Sequence, residues 1–177
     1  DVFIPMDWVI GGEKMVGQGW RMLMECLAAG RSISLPSSSA AGAKSLLRNT
    51  SAYARIRKQF DLPIGKMEGL EEPLARIAGT MHWMNALRVV TAGSVDAGEK
   101  PAVVSAIAKY NQTELARKIV NDGMDILGGA AISRGPKNRI ANSYIGMPIS
   151  ITVEGANILT RTMIIFGQGA IRCHPFA

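Results

Sequence analysis

The chain has 177 residues and carries 20 Lys plus Arg against 14 Asp plus Glu, a formal net charge of +6. An apolar share of 47% supports a globular core that buries roughly 70% of the unfolded surface, which excludes intrinsic disorder as the main description. The 19 glycines follow no Gly-X-Y period and come with only 8 prolines, so a fibrous repeat is excluded too.

Two cysteines, Cys26 and Cys173, cannot build a disulfide framework and lack the spacing of a metal site. His82 and His174 have no clustered carboxylates near them, so no metal site is expected. Reduced thiols point to a reducing compartment. There is no 18-residue uncharged apolar run for a transmembrane helix, and no basic leader opens the chain. The start, without an initiator Met, suggests a fragment of something longer.

In chain order, Val2-Phe3-Ile4-Pro5 and Trp8-Val9-Ile10 are β-prone runs stopped by Gly11-Gly12. Residues 1–17 are therefore expected to be a short β-type lead-in, the tail of a preceding domain or a linker. Residues 18–177 are expected to form one helical domain. Gln18 to Ala29 reads as a short amphipathic segment (Trp20, Leu23, Met24, Leu27) broken by Gly30 and then Pro36. Ser37-Ser38-Ser39 offers an N-cap cluster for a helix reaching about Arg57, followed by a connector over Asp61–Gly65.

The clearest period is Leu70, Leu74, Ile77, Met81, Met84 and Leu87, a helix that ends near Ala97-Gly98. Pro101 stands where a helix-opening proline would, before a helix over 102–127 that stops at Gly128-Gly129. Residues 130–150 read as irregular, with Gly135-Pro136 and Gly146-Met147-Pro148 as breakers. A last helix is expected from about Thr152 to Phe166, ending before Gly167-Gln168-Gly169. Four long helices joined by short loops predict an all-α, up-and-down antiparallel four-helix bundle. The ten methionines read mainly as core fillers.

The excess of positive charge is spread along the chain, at Arg21, Lys44, Lys100, Arg117, Arg134 and Arg161 among others. Its one tight cluster is Arg55-Ile56-Arg57-Lys58. No aromatic platform accompanies that cluster, so an anionic small ligand fits better than nucleic acid. No Ser-His-Asp or Cys-His arrangement is visible, and no Rossmann or Walker glycine loop occurs.

Glu154 stands out because it interrupts an apolar run and shares a helical face with Ile158, Arg161 and Ile165. Two readings are open. The carboxylate can complement the positive end of the helix dipole, or it can serve as a general base whose proton affinity is raised in a partly apolar pocket. Gly155 after it would cost about 1 kcal/mol in a helix interior relative to Ala, a cost tolerated where backbone or ligand comes close.

Three segments taken together resemble one family. Asp1-Val2-Phe3-Ile4-Pro5 through Gly17-Gln18-Gly19-Trp20 to Arg31 looks like an exit from a β-domain into a helical one. Tyr53-Ala54-Arg55-Ile56-Arg57-Lys58-Gln59-Phe60 with Pro63-Ile64 is similar to a Y-A-x-x-R-x-x-F-G-x-P-I signature. Val153-Glu154-Gly155 followed by Arg161 is similar to Y-E-G-x-x-x-x-x-R. The family is that of the acyl-CoA dehydrogenases, with the closest likeness to the large proteobacterial, fatty-acid β-oxidation type, and the likeness spans essentially the whole chain.

The resemblance implies a C-terminal helical domain of a flavin-dependent oxidoreductase that converts fatty acyl-CoA to trans-2-enoyl-CoA. Glu154 would remove the α-proton while a hydride leaves the β-carbon for FAD. Arg57, Gln59 and Phe60 match positions that touch FAD, the arginine facing a pyrophosphate across a subunit boundary. Gly128 and Gly129 match a turn beside the adenosine of a neighbouring subunit's FAD. Arg31 and Gly155 match positions near the acyl-CoA substrate.

The same likeness implies a homo-oligomer and an electron-transfer flavoprotein as partner; the expected location is cytoplasmic, with a peripheral place at the inner membrane as the alternative. It also implies that this chain alone is inactive. Departures from the family pattern are Glu68, Asp125 and Ala156, where the family usually has Gln, Gln and Thr. An acyl-CoA oxidase of the same fold and a non-catalytic helical interaction module are the competing readings.

Overall fold

A computed structural model describes residues 1–99, 101–138 and 140–171. Cys173, His174 and Lys100 lie outside the described residues. Three long helices dominate: α1 over Gly19–Ile56, α2 over Glu68–Asp96 and α3 over Ala102–Leu127. A one-turn α4 (Gly129–Ile132) leads to α5 (Ala141–Thr152). After a bend, α6 (Asn157–Leu159) runs into a π-helix over Thr160–Ile171. Between α1 and α2 lie a two-residue hairpin, β1 (Lys58–Gln59) antiparallel to β2 (Leu62–Pro63), and a 3-10 turn over Ile64–Lys66.

Contacts between the helices set their directions. Leu46 and Tyr53 on α1 meet Gly123 and Leu127 near the end of α3, so α1 and α3 run parallel. Arg76 on α2 grips Asp122 on α3 with two hydrogen bonds of 2.9 and 2.8 Å, while Gln112 on α3 donates to the Met84 carbonyl, so α2 is antiparallel to both. Lys109 meets the end of α5 and Gly123 lies beside Ile140, which makes α5 antiparallel to α3. The result is the expected all-α up-and-down bundle, with its fourth member built from α5 and the helix after the bend.

The core sits where these members face one another: Ala40, Ala43 and Leu46 of α1, Ile77 and Met84 of α2, Ala116, Ile119, Val120 and Ile126 of α3, and Ile140. Leu70, Leu74 and Met81 pack against it, so the period read along α2 is the buried face.

Several expectations are corrected. Residues 1–17 contain no strand but two 3-10 turns, Met6–Trp8 and Glu13–Met15. Val2, Phe3, Trp8 and Ile10 have no partner strand here and stay exposed. The break expected at Gly30 and Pro36 is absent, and α1 runs through both. Pro36 cannot donate to the carbonyl four residues back, yet its ring is buried, so packing against neighbouring helices outweighs one lost bond. Ser37, Ser38 and Ser39 are therefore helix interior and cap nothing.

Residues 141–150, expected to be irregular, are helical through Pro148. Asn138 starts that helix: its Oδ1 accepts from the amides of Ile140 and Ala141 at 2.9 and 2.8 Å, while its Nδ2 donates to the Ala131 carbonyl at 2.7 Å. The expected last helix starting at Thr152 is instead interrupted. Glu154 and Gly155 both have positive φ, +56° and +91°, and the axis turns by 46° across the break.

No single described helix is long and apolar enough to cross a membrane. Only α5 and the helix after the bend pass that test together, by length and composition, across this turn.

Two stability tests follow. Ile77 is fully buried at the centre of the core, so Ile77→Ala is expected to lower unfolding free energy by about 2–5 kcal/mol in urea titrations. Gly155 has φ +91°, and an added Cβ would lie 2.8 Å from Arg31 Nη2. Gly155→Ala is expected to cost about 1–3 kcal/mol by the same measurement.

Candidate active site at the bend before the last helix

The bend between α5 and α6 is held from two sides by buried cations. Arg31, 3% exposed on α1, donates from Nε to the Glu154 carbonyl at 2.7 Å. Lys109, fully buried on α3, donates from Nζ to the Gly155 carbonyl at 2.9 Å and to Asn157 Oδ1 at 2.6 Å, with Ile151 O further off at 3.4 Å. Asn157 Nδ2 in turn donates to Thr113 Oγ1 at 3.0 Å and Glu114 Oε1 at 2.8 Å, and the Thr160 hydroxyl donates to Gly155 O at 3.1 Å. These cations meet carbonyls of the segment that follows the end of α5, near the negative end of its dipole.

Glu154 itself is only partly exposed. Its Oε2 is buried with no hydrogen-bond partner, and its Oε1 would lie 3.7 Å from a Cβ placed on Gly30, so the glycine leaves room beside the carboxylate. Arg31 bonds the backbone of Glu154 and leaves the buried carboxylate oxygen without a partner. A buried, unpartnered carboxylate oxygen is costly, and such a cost concentrates at functional sites. Burial lowers the proton affinity of the Arg31 guanidinium, and the Glu154 carboxylate offsets part of that. For Lys109, burial and then the neighbouring Arg31 pull the ammonium down to about 8, against a smaller upward pull from Glu154 and Glu114.

Gly155 was expected in a helix interior, where glycine is a burden. In the structure it stands outside the helix in a left-handed conformation that favours glycine, packed against Arg31. Glu154 likewise lies ahead of the helix, so it shares no helical face with Ile158, Arg161 or Ile165.

The residues assigned to a cofactor gather elsewhere. Arg57 and Gln59 line one open groove of about 370 Å³ together with Tyr53, Ile64, Leu127, Gly128 and Gly129. Arg57 ends α1, its amide bonded to the Tyr53 carbonyl at 2.8 Å, while Gly128 ends α3 in a left-handed conformation (φ +54°, ψ −129°). Parallel α1 and α3 thus bring their C-terminal ends together, joining segments 71 positions apart in sequence. Phe60 stands beside the groove at the hairpin tip, 91% exposed with φ +51°. A bulky side chain so placed is strained and unburied at once.

Arg31 and Arg57 are twenty-six residues apart on one continuous helix, which at 1.5 Å per residue is ~39 Å. The bend and the groove are therefore two separate sites on one chain. A third cavity of about 250 Å³ between α1, α3 and α5, lined by Ser39, Leu46, Ile119 and Met147 among others, contains none of the assigned residues.

Sequence reading missed Lys109, Asn157, Thr113 and Thr160. The signal for Lys109 was there, a lone lysine in the apolar run Ser105-Ala106-Ile107-Ala108-Lys109 on the buried side of α3. His82 is exposed on α2 and Cys26 is an exposed free thiol, and no group of His, Cys, Asp or Glu among the described residues could hold a metal.

The family profile described as Acyl-CoA dehydrogenase, C-terminal domain, matches residues 17–167. A 3-(aryl)acrylate reductase of Clostridium sporogenes is 32% identical over 149 residues, covering 84% of this chain and 39% of that protein. Protein HemX of Proteus mirabilis is 62% identical over 52 residues, 29% of this chain and 31% of its own. The crystal structure of an acyl-CoA dehydrogenase from Geobacillus kaustophilus has the same fold, with TM-score 0.79 over 86% of this chain and 39% of its own at 24% identity. The chain spans between 31% and 39% of the length of these curated relatives. The match over nearly the whole bundle places the chain in the acyl-CoA dehydrogenase family, as a C-terminal helical domain of that family.

Proposed function

We propose that this chain supplies the base for α,β-dehydrogenation of a fatty acyl-CoA thioester, with Glu154 taking the α-proton. One observation carries the reading: Glu154 is held by its own backbone through Arg31, with Oε2 buried and bonded to nothing. An α-proton beside a thioester is a weak acid, so a base must be fixed near it and shielded from water. Gly30 keeps bulk away from one side of the carboxylate, where an acyl chain would have to approach.

The groove at the other end of α1 fits part of FAD. Arg57 offers a guanidinium suited to a diphosphate, Gln59 adds amide donors, and nothing stands within 4 Å of a Cβ placed on Gly128 or Gly129. When bound, FAD supplies the acceptor for the hydride that leaves the β-carbon. The residues of this chain hold its phosphates and exposed flank, Phe60 at the hairpin tip being free to cover a ring.

With ~39 Å of helix between groove and bend, one copy of the chain does not offer both to a single flavin end. The reading therefore includes a homo-oligomer in which groove and bend of different copies serve one site. Residues 1–17 would lead in from a β-domain that completes it, and an electron-transfer flavoprotein would take the electrons onward. The exposed thiol of Cys26 suits a reducing compartment such as the cytoplasm.

The likeness to a reductase favours one second reading: the same site run in the opposite direction, Glu154 returning a proton to the α-carbon of an unsaturated acid derivative. Assaying both a saturated acyl-CoA with an electron acceptor and an enoyl compound with reduced flavin separates the two.

In the flavin-loaded protein, Glu154→Gln is expected to lower kcat by about 10²–10⁴-fold while the flavin absorbance stays unchanged. A variant that keeps most of its rate removes Glu154 from the role of base. Arg57→Gln is expected to weaken flavin retention by roughly 10–100-fold in dilution and fluorescence assays, the value of one charge-assisted hydrogen bond.

A further inference from the structure

Lys109 is not a member of the apolar core cluster. Its neighbours on α3, Ala106 and Ala108, are buried apolar residues, and a fully buried lysine among them would destabilise the bundle unless its ammonium had partners. Its acceptors all belong to one short stretch, the carbonyls of Ile151 and Gly155 and the side chain of Asn157. That stretch brackets Glu154 on both sides in sequence. Asn157 is itself fixed by Thr113 and Glu114, one turn further along α3, so α3 grips the bend through two successive turns.

Left-handed backbone at a non-glycine residue such as Glu154 persists only where its surroundings over-determine it. Arg31 alone makes one bond to this segment, to the Glu154 carbonyl.

We infer that Lys109 is a positioning residue for Glu154: its ammonium fixes the 151–157 bend, and through it the direction of the carboxylate. This inference rests on Glu154 being the base. The groups facing Lys109 are Arg31 from α1, Glu154 from the bend and Glu114 from α3 itself. Below about pH 8 the ammonium is charged and donates three hydrogen bonds; above it the neutral amine keeps two, and the bend loosens.

The test has two arms. In the chain itself, the amide signals of Gly155 and Asn157 are followed by NMR through the titration of the Lys109 side chain. They are expected to move with the Lys109 midpoint, and signals that stay fixed while Lys109 titrates overturn the inference.

In the flavin-loaded protein, Lys109→Met is expected to lower kcat by about 10²-fold with KM within about 3-fold, the cost of a misplaced group. Lys109→Arg, which keeps a cation, is expected to recover at least about 10-fold of that loss. A Lys109→Met enzyme with wild-type kcat, measured where Glu154→Gln is inactive, overturns the inference and leaves the base assignment standing. An active Glu154→Gln enzyme overturns the base assignment, and the NMR arm still decides whether Lys109 fixes the bend. If Lys109→Met does not fold, that arm and Lys109→Arg decide alone.

Discussion

Two buried cations beneath one turn of backbone hold the bend that carries Glu154. The bend after α5 leaves the carbonyls of Glu154 and Gly155 outside any helix, where they need donors from elsewhere. Arg31 and Lys109 supply the missing donors from α1 and α3. Cations are costly to bury, but here Arg31 donates to one carbonyl and Lys109 to two carbonyls and the Asn157 side chain, with the carboxylates of Glu154 and Glu114 near Lys109. The break presents carbonyls to the cations, and the cations give those carbonyls donors, so interruption and clamp support each other.

From that constraint the division of labour along the bundle follows. α1 and α3 run parallel, so their N-terminal parts carry the clamp while their C-terminal ends meet at Arg57 and Gly128. Long continuous helices carry the rigidity: a core of Ile77, Met84 and Ile119 keeps α2 pressed on both, and Arg76 staples α2 to Asp122 at the surface. Sites built on such elements are placed more firmly than sites on loops. The hairpin of Lys58–Pro63, by contrast, projects Phe60 outward at a strained turn, a geometry suited to touching something other than its own bundle.

Much of the bundle was legible because apolar period and glycine punctuation are local signals. The stripe from Leu70 to Leu87 and the stop at Gly128-Gly129 mark α2 and α3 with little need of tertiary context. α1 and α5 were misread for one shared reason. Gly30, Pro36, Gly146 and Pro148 weaken a helix locally, but packing against neighbours outweighs a lost bond or a glycine's entropy. The cap by Asn138 was also local, yet its partners at Ala130, Ala131 and Ser133 come from a one-turn helix that the breakers concealed.

For the site, the motif around Glu154 and the signature ending at Phe60 were visible as residue types in order, because chemistry restricts which side chains can serve. The sequence by itself determined a helical bundle, the identity of the candidate base, and the grouping of Arg57 with Gln59 and Phe60. Only the tertiary structure decided that Glu154 stands in a left-handed bend, that Gly128 and Gly129 join Arg57 in one groove, and that Lys109 is a member of the site at all. The reason is distance along the chain. Lys109 and Gly155 are forty-six positions apart, Arg31 and Glu154 one hundred and twenty-three. A hydrogen bond between such residues has no periodicity to announce it, and exists only once the helices that carry them have packed.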